Sequence, residues 1–162
     1  MITQEIVSSL ENSGFKLAIA ESLTGGQLCS DLVSVAGASK VILGSIVAYQ
    51  TGLKSASLGV SSELLAKQGA VDPEVALRMA EGVRSRLALQ LMLPTDTVIG
   101  ISTTGVAGPD EQDGKPVGLV FIGISGARGD KVWEERFTGD RNAIRRQATD
   151  KALEYLREYL AA

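Results

Sequence analysis

Ala20-Glu21-Ser22-Leu23-Thr24-Gly25-Gly26 is a polar, glycine-bearing turn set between two apolar patterns, and the reading of the chain works outward from it. Before it, Leu17-Ala18-Ile19-Ala20 is an apolar run of strand length. After it, Leu28, Leu32, Val33 and Val35 recur at helical spacing. A strand that gives way to a helix through such a turn gathers a hydroxyl and several backbone N–H groups at one point. That point can hold a nucleophile, an anion or both. Taken alone, the stretch is better explained by Ser22 and Thr24 capping the helix while the glycines permit the bend. The rest of the chain shifts the balance.

With 162 residues, the expectation is one domain over 1–162, long enough for a substantial core. A hydrophobic fraction of 44% beside 22% charged residues is that of a globular protein rather than a disordered one. The net charge of −3 and pI near 5.0 leave no basic footprint, so nucleic acid is not expected as a partner. Arg145-Arg146 is the local exception, a doublet that could serve one phosphate. Met1 to Glu5 lacks the basic region of a secretion signal, and no apolar run reaches membrane-spanning length. A cytoplasmic location without membrane contact is the expectation.

Two counts limit the chemistry further. Cys29 is the only cysteine, which rules out an internal disulfide and a cysteine-rich metal site. Histidine is absent, so a single chain has no Ser-His-Asp triad, no Cys-His pair and no histidine-ligated metal. A serine hydrolase built from these residues needs another base, and lysine is the known substitute.

Taken in order, residues 3 to 12 read as an amphipathic helix with Ile6, Val7 and Leu10 on one face, ended by Ser13-Gly14. A strand from Phe15 to Ala20 leads through the Ser22 turn to a helix reaching about Val35. Val41 to Gln50 is rich in β-branched residues and reads as a second strand, with Gly52 turning the chain ahead of Lys54. A short helix runs from Ser61 through Lys67 to Gly69. Asp72-Pro73-Glu74 is a strong helix start, continued by Val75, Met79, Val83 and Leu87 as far as Pro94. Thr97 to Ser102 is a third strand, and Thr103 to Asp110 a second loop rich in hydroxyls and glycine. Val117 to Ile124 and Lys131 to Phe137 form a hairpin. Gly139-Asp140 opens a last helix with Ile144, Ala148, Ala152, Tyr155, Leu156 and Tyr159 on its apolar stripe. This order predicts an α/β fold, a layered α/β/α domain whose mixed β-sheet is parallel early and antiparallel at the hairpin.

Three segments share one design, a strand end followed by small or hydroxyl residues: Glu21 to Gly26, Tyr49 to Lys54, and Ser102 to Asp110. In open α/β sheets neighbouring strand ends converge on one crevice. Ser22, Tyr49, Lys54, Thr103 and Thr104 are therefore candidates to meet there. A lysine base must shed its proton from an ordinary pKa of about 10.4. Burial and nearby positive charge both act in that direction. Other patterns carry less. Ser13-Gly-Phe-Lys16 has the S-x-x-K spacing of penicillin-binding enzymes but lacks their companion motifs and sits at a helix end. Gly114-Lys115 fails as a phosphate loop because Pro116 replaces the hydroxyl residue. Cys29 reads as a small buried apolar residue, and Glu134-Glu135 as a solvated strand edge.

Six motifs, in order, resemble the CinA C-terminal-domain family. They are Ala20-Glu-Ser-Leu-Thr-Gly-Gly26, Tyr49 with Lys54, Gly69-Ala-Val71, Thr104-Gly-Val-Ala-Gly-Pro-Asp110, Lys115-Pro-Val-Gly118, and Phe137-Thr-Gly-Asp-Arg-Asn-Ala-Ile-Arg-Arg-Gln147. Each is weak alone, but six in the right order are specific, and they span nearly the whole chain. That family contains the bacterial nicotinamide mononucleotide (NMN) deamidases, and the missing large N-terminal domain suggests its stand-alone form. The resemblance implies hydrolysis of the NMN carboxamide to nicotinate mononucleotide and ammonia, without metal or cofactor. Ser22 is then the nucleophile, Lys54 its general base, and Tyr49 the residue that orients the lysine or relays the proton. Backbone N–H groups around Thr24, Gly25 and Gly26 are the expected oxyanion hole. The phosphate falls to Arg141, Arg145 and the loop carrying Thr103, Thr104, Gly105 and Gly108, with Arg145 ahead of Arg141. Family members often carry a glycine pair where this chain has Glu111-Gln112. The family resemblance also implies a homo-oligomer. Two alternatives stand beside this: a nucleotide-binding module of a competence or DNA-damage pathway with little turnover, and an amidohydrolase acting on another carboxamide.

Overall fold

Five strands and six helices make up the fold in the computed structural model, which describes residues 1–162. The strands are β1 (Lys16–Glu21), β2 (Ile42–Val47), β3 (Val98–Gly105), β4 (Leu119–Ser125) and β5 (Lys131–Arg136). They form one sheet in the order β2-β1-β3-β4-β5. β1 pairs in parallel with both β2 and β3, whereas β3, β4 and β5 pair antiparallel. The helices are α1 (Ile2–Ser13), α2 (Gln27–Val33), α3 (Thr51–Leu58), α4 (Ser62–Gln68), α5 (Pro73–Gln90) and α6 (Arg141–Ala161). This is the expected α/β class with a mixed sheet.

Period-two alternation sorts the two faces of the sheet. Leu17, Ile19, Ile99, Ile101, Ile122 and Ile124 pack with α1, α2 and α6 in the larger core, which takes in Leu10, Leu32, Ile144 and Leu156. On the other face Ala18, Ala20 and Val98 meet Val75, Met79 and Val83 of α5. The residues there are small because α5 lies directly on the sheet. A Cβ at Gly100 would stand 2.1 Å from the Ala80 carbonyl oxygen, and the Ser102 hydroxyl donates to the Ala76 carbonyl at 2.5 Å. Helix α5 begins as its signal demands: Asp72 accepts from the N–H groups of Glu74 and Val75, with Pro73 in the first turn.

Three differences from the sequence reading bear on function. The second strand stops at Val47, and residues 51–58 form a helix where a turn was expected. That places Lys54 on a regular element, α3, which ends at Gly59 in the left-handed region (φ +72°). The third strand does not end at Ser102 but continues through Thr103 and Thr104 to Gly105, because β4 remains available as a partner up to Val120. The helix after the Ser22 turn stops at Val33, short of Val35. Since β1, β2 and β3 run parallel, their C-terminal ends at Glu21, Val47 and Gly105 lie along one edge of the sheet.

Candidate active site

At that edge Lys54 is almost fully buried, 1% exposed, and its Nζ lies 2.8 Å from the Ser22 Oγ. The Ala48 carbonyl accepts from the same Nζ at 2.8 Å and the Tyr49 carbonyl at 3.5 Å. No carboxylate pairs with it. Burial therefore works against the charged form and pulls the lysine from its ordinary 10.5 down to about 8. An amine poised there is charged for part of the population near neutrality. Once neutral, its lone pair can accept the Ser22 proton.

Ser22 opens onto a cavity of about 340 Å³, within the range of small-molecule sites. Leu23, Tyr49, Val71, Thr104, Gly105, Gly108 and Arg141 share its lining, with Asp110 and Glu111 contributing acid. Tyr49 is 54% exposed, and its phenol accepts from Arg141 Nη2 at 2.5 Å instead of facing Lys54. Only the Tyr49 carbonyl approaches the lysine. Arg141, in the first turn of α6, also donates from Nη1 to the Gly108 carbonyl at 2.5 Å, which ties the helix to the cavity rim.

The other candidate residues divide sharply. Thr24 and Thr103 are buried, and their hydroxyls bond each other at 2.8 Å beneath the turn, away from the cavity. Thr104 lines the cavity, yet its hydroxyl donates to the Ala70 carbonyl at 2.7 Å. The N–H of Gly25 donates to the Ser22 carbonyl, and that of Gly26 to Glu21, so neither glycine N–H is free for an oxyanion. Leu23 and Thr24 carry N–H groups of the turn that have no protein acceptor. Arg145 does not line the cavity; its guanidinium donates to the carbonyls of Leu23 and Thr24. Arg146 turns elsewhere, to Asp31 and Asp150, so the doublet does not act as one phosphate clamp.

Glu21 is the residue that sequence reasoning passed over. Fully buried, it accepts from the N–H groups of Gly26, Leu28 and Cys29 and from the Ser45 hydroxyl. It thereby fills the N-terminus of α2, which has no cap from its own Ncap residue, Gly26. An acid placed at the end of an apolar strand, directly before a glycine turn, was the available signal. Cys29 is half-buried, and burial with Glu21 nearby pushes its thiol pKa up. No group of three or more His, Cys, Asp or Glu residues is placed to hold a metal ion. No helix is long and apolar enough to cross a membrane.

Comparison with known proteins gives one family throughout. The model of the CinA C-terminal domain matches residues 1–160. A CinA-like protein of Frankia casuarinae is 46% identical over 145 residues, covering 90% of this chain and 32% of that protein. A CinA-like protein of Dictyoglomus thermophilum is 42% identical over 161 residues, covering 98% of this chain and 37% of that protein. The chain thus spans about a third of the length of the curated relatives it matches. Among solved structures, a CinA superfamily protein from Klebsiella pneumoniae superposes with a TM-score of 0.88 at 30% identity, covering 99% of this chain and 96% of that one. A competence/damage inducible protein from Agrobacterium tumefaciens gives 0.87 at 32% identity, covering 98% and 93%.

Proposed function

The chain belongs to the CinA C-terminal domain family, and we propose that it is a Ser/Lys amidohydrolase that converts NMN to nicotinate mononucleotide and ammonia. The observation that carries this reading is the buried Lys54 amine, 2.8 Å from the hydroxyl of Ser22, which lines a cavity. Neutral Lys54 takes the Ser22 proton as Oγ attacks the carboxamide carbon. The tetrahedral oxyanion is received by backbone N–H groups of the turn. Lys54 then gives its proton to the leaving nitrogen, ammonia departs, and an acyl-serine ester remains. Water, deprotonated by Lys54, hydrolyses that ester and returns the proton to Ser22.

A pyridinium carboxamide suits this arrangement. Its positive charge makes the carbonyl carbon more electrophilic and disfavours a protonated lysine nearby. Tyr49 holds Lys54 through its carbonyl and offers an exposed ring to the cationic heterocycle. Arg141 is the phosphate ligand in this reading, because it is the one arginine on the cavity wall. Asp110 and Glu111 repel phosphate and leave the Arg141 side as its seat.

The test is ammonia release from NMN by wild-type protein and by Ser22→Ala, with a chelator present. Chelator-resistant release that disappears in a folded Ser22→Ala variant supports the proposal. Tight binding of NMN by calorimetry with no ammonia from the wild type would replace it with a binding module. Release from other carboxamides but not NMN would keep the mechanism and change the substrate.

A further inference from the structure

Arg145 spends its guanidinium on the carbonyls of the Ser22 turn. Its Nε donates to the Leu23 carbonyl at 2.8 Å and its Nη2 to the Thr24 carbonyl at 3.3 Å, while Nη1 is held by Asn142 Oδ1 at 3.0 Å. It reaches these atoms from the second turn of α6, a helix of 21 residues anchored in the larger core. Gly25 makes room for it. A Cβ at that position would stand 3.2 Å from Nη2, and the backbone there is left-handed (φ +60°).

We propose that Arg145 is a positioning residue for the nucleophile turn and not a ligand of the substrate. The inference rests on the reading of Ser22 as an acylated nucleophile. In a planar trans peptide the carbonyl and the N–H point opposite ways. Holding the Leu23 carbonyl against Arg145 therefore sets the direction of the Thr24 N–H. The Ser22 carbonyl, held by the Gly25 N–H, sets the direction of the Leu23 N–H in the same manner. These two donors follow the nucleophile directly and have no acceptor in the protein, although Leu23 and Thr24 are 3% and 0% exposed. Buried N–H groups are nearly always paired. Two orphans beside a nucleophile mark the seat of an oxygen that arrives with the substrate. Glu21 grips the turn by its later N–H groups, and Arg145 grips it by its carbonyls. Together they leave those two donors uncommitted, beside the N–H of Ser22 itself.

The experiment compares wild type, Arg145→Met and Arg145→Lys in two assays. One is steady-state ammonia release from NMN; the other is the rate of covalent labelling of Ser22 by an alkyl fluorophosphonate, followed by intact mass. The label needs the oxyanion donors but carries no nucleotide. The expected result for Arg145→Met is a fall in kcat on the order of 100-fold with KM unchanged, and a parallel fall in labelling rate. Arg145→Lys, which keeps a donor, recovers part of both. A rise in KM for NMN with wild-type labelling would overturn the proposal in favour of a phosphate ligand, and so would wild-type behaviour in both assays. Should wild type release no ammonia from NMN, the substrate reading fails while the labelling rates still decide the role of Arg145. If Arg145→Met does not fold, Arg145→Gln takes its place in both assays.

Discussion

Two segments of this chain look alike in sequence and behave as opposites in space. Glu21 to Gly26 and Ser102 to Asp110 both follow a parallel strand, and both are rich in hydroxyls and glycine. In the first, the strand ends and the serine hydroxyl meets a lysine amine at the cavity. In the second, the strand runs on, and Ser102, Thr103 and Thr104 spend their hydroxyls on Ala76, Thr24 and Ala70. The difference lies in partners. A hydroxyl bonded to a backbone carbonyl or to another buried hydroxyl is structural, whereas one bonded to an uncompensated amine can be ionised. The second segment contributes the cavity wall and supports the first from below.

Mutation can break that contrast or sharpen it. The largest effect is expected at Ser22: Ser22→Ala should lower kcat for ammonia release by about 10⁴-fold or more, with the thermal midpoint preserved. Comparable loss in Thr103→Val would erase the distinction between the two segments. Next comes the amine. Below pH 8 the native state must bury a charged Lys54 or surrender its proton, so kcat/KM should fall about tenfold per pH unit there, with an apparent pKa near 8. A folded pKa below the unfolded 10.5 means that the unfolded chain binds the extra proton between those values. Stability contributed by this group therefore rises from pH 8 to 10.5, and is lost below. The full span is about 3 kcal/mol, read as the pH-dependent gap between wild type and Lys54→Met in denaturant titrations. A pH-independent gap would show that Lys54 is not depressed.

Glu21→Gln sets an amide NH₂ against backbone donors that now meet a carboxylate oxygen. It should destabilise by about 3 kcal/mol and slow acylation of Ser22, since the turn loses its inner grip. Stability close to wild type would mean that the turn is held by other contacts. The smallest effect belongs to Thr103→Val, which orphans the Thr24 hydroxyl at a cost of about 1–2 kcal/mol while kcat stays near wild type. That outcome, paired with Ser22→Ala, would separate a supporting segment from a reacting one.

Much of the fold was legible because it rests on local signals. The Asp72-Pro73 start, the Gly14 stop and the alternation along β1 are each decided within a few residues. What the sequence hid depends on distant partners. Residues 51–58 carry Gly52 and two serines, weak helix formers, and Leu58 and Lys54 settle as a helix only by burial under the rest of the fold. The continuation of β3 through Thr103 is set by pairing with Ile122, a residue nineteen positions on in β4. Within the candidate site, the absence of histidine points only to a lysine base, and the pairing of Ser22 with Lys54 is what the family resemblance implies. The assignment of the arginines was not readable, since Arg141 and Arg145 differ by one helical turn and face different surroundings. Tyr49 likewise turned out to present its carbonyl, not its phenol, to the lysine.

Glu21 has a last consequence, for assay chemistry. The N-terminus of α2 already holds an internal anion, permanently tethered and fully shielded from solvent. Phosphate, sulfate or carboxylate buffers therefore find no seat at the start of α2, and salt has no counter-ion there to displace. If the proposed reading holds, inhibition by inorganic phosphate is expected from Arg141 on the cavity wall or from the unpaired N–H groups of the turn, and not from the start of α2.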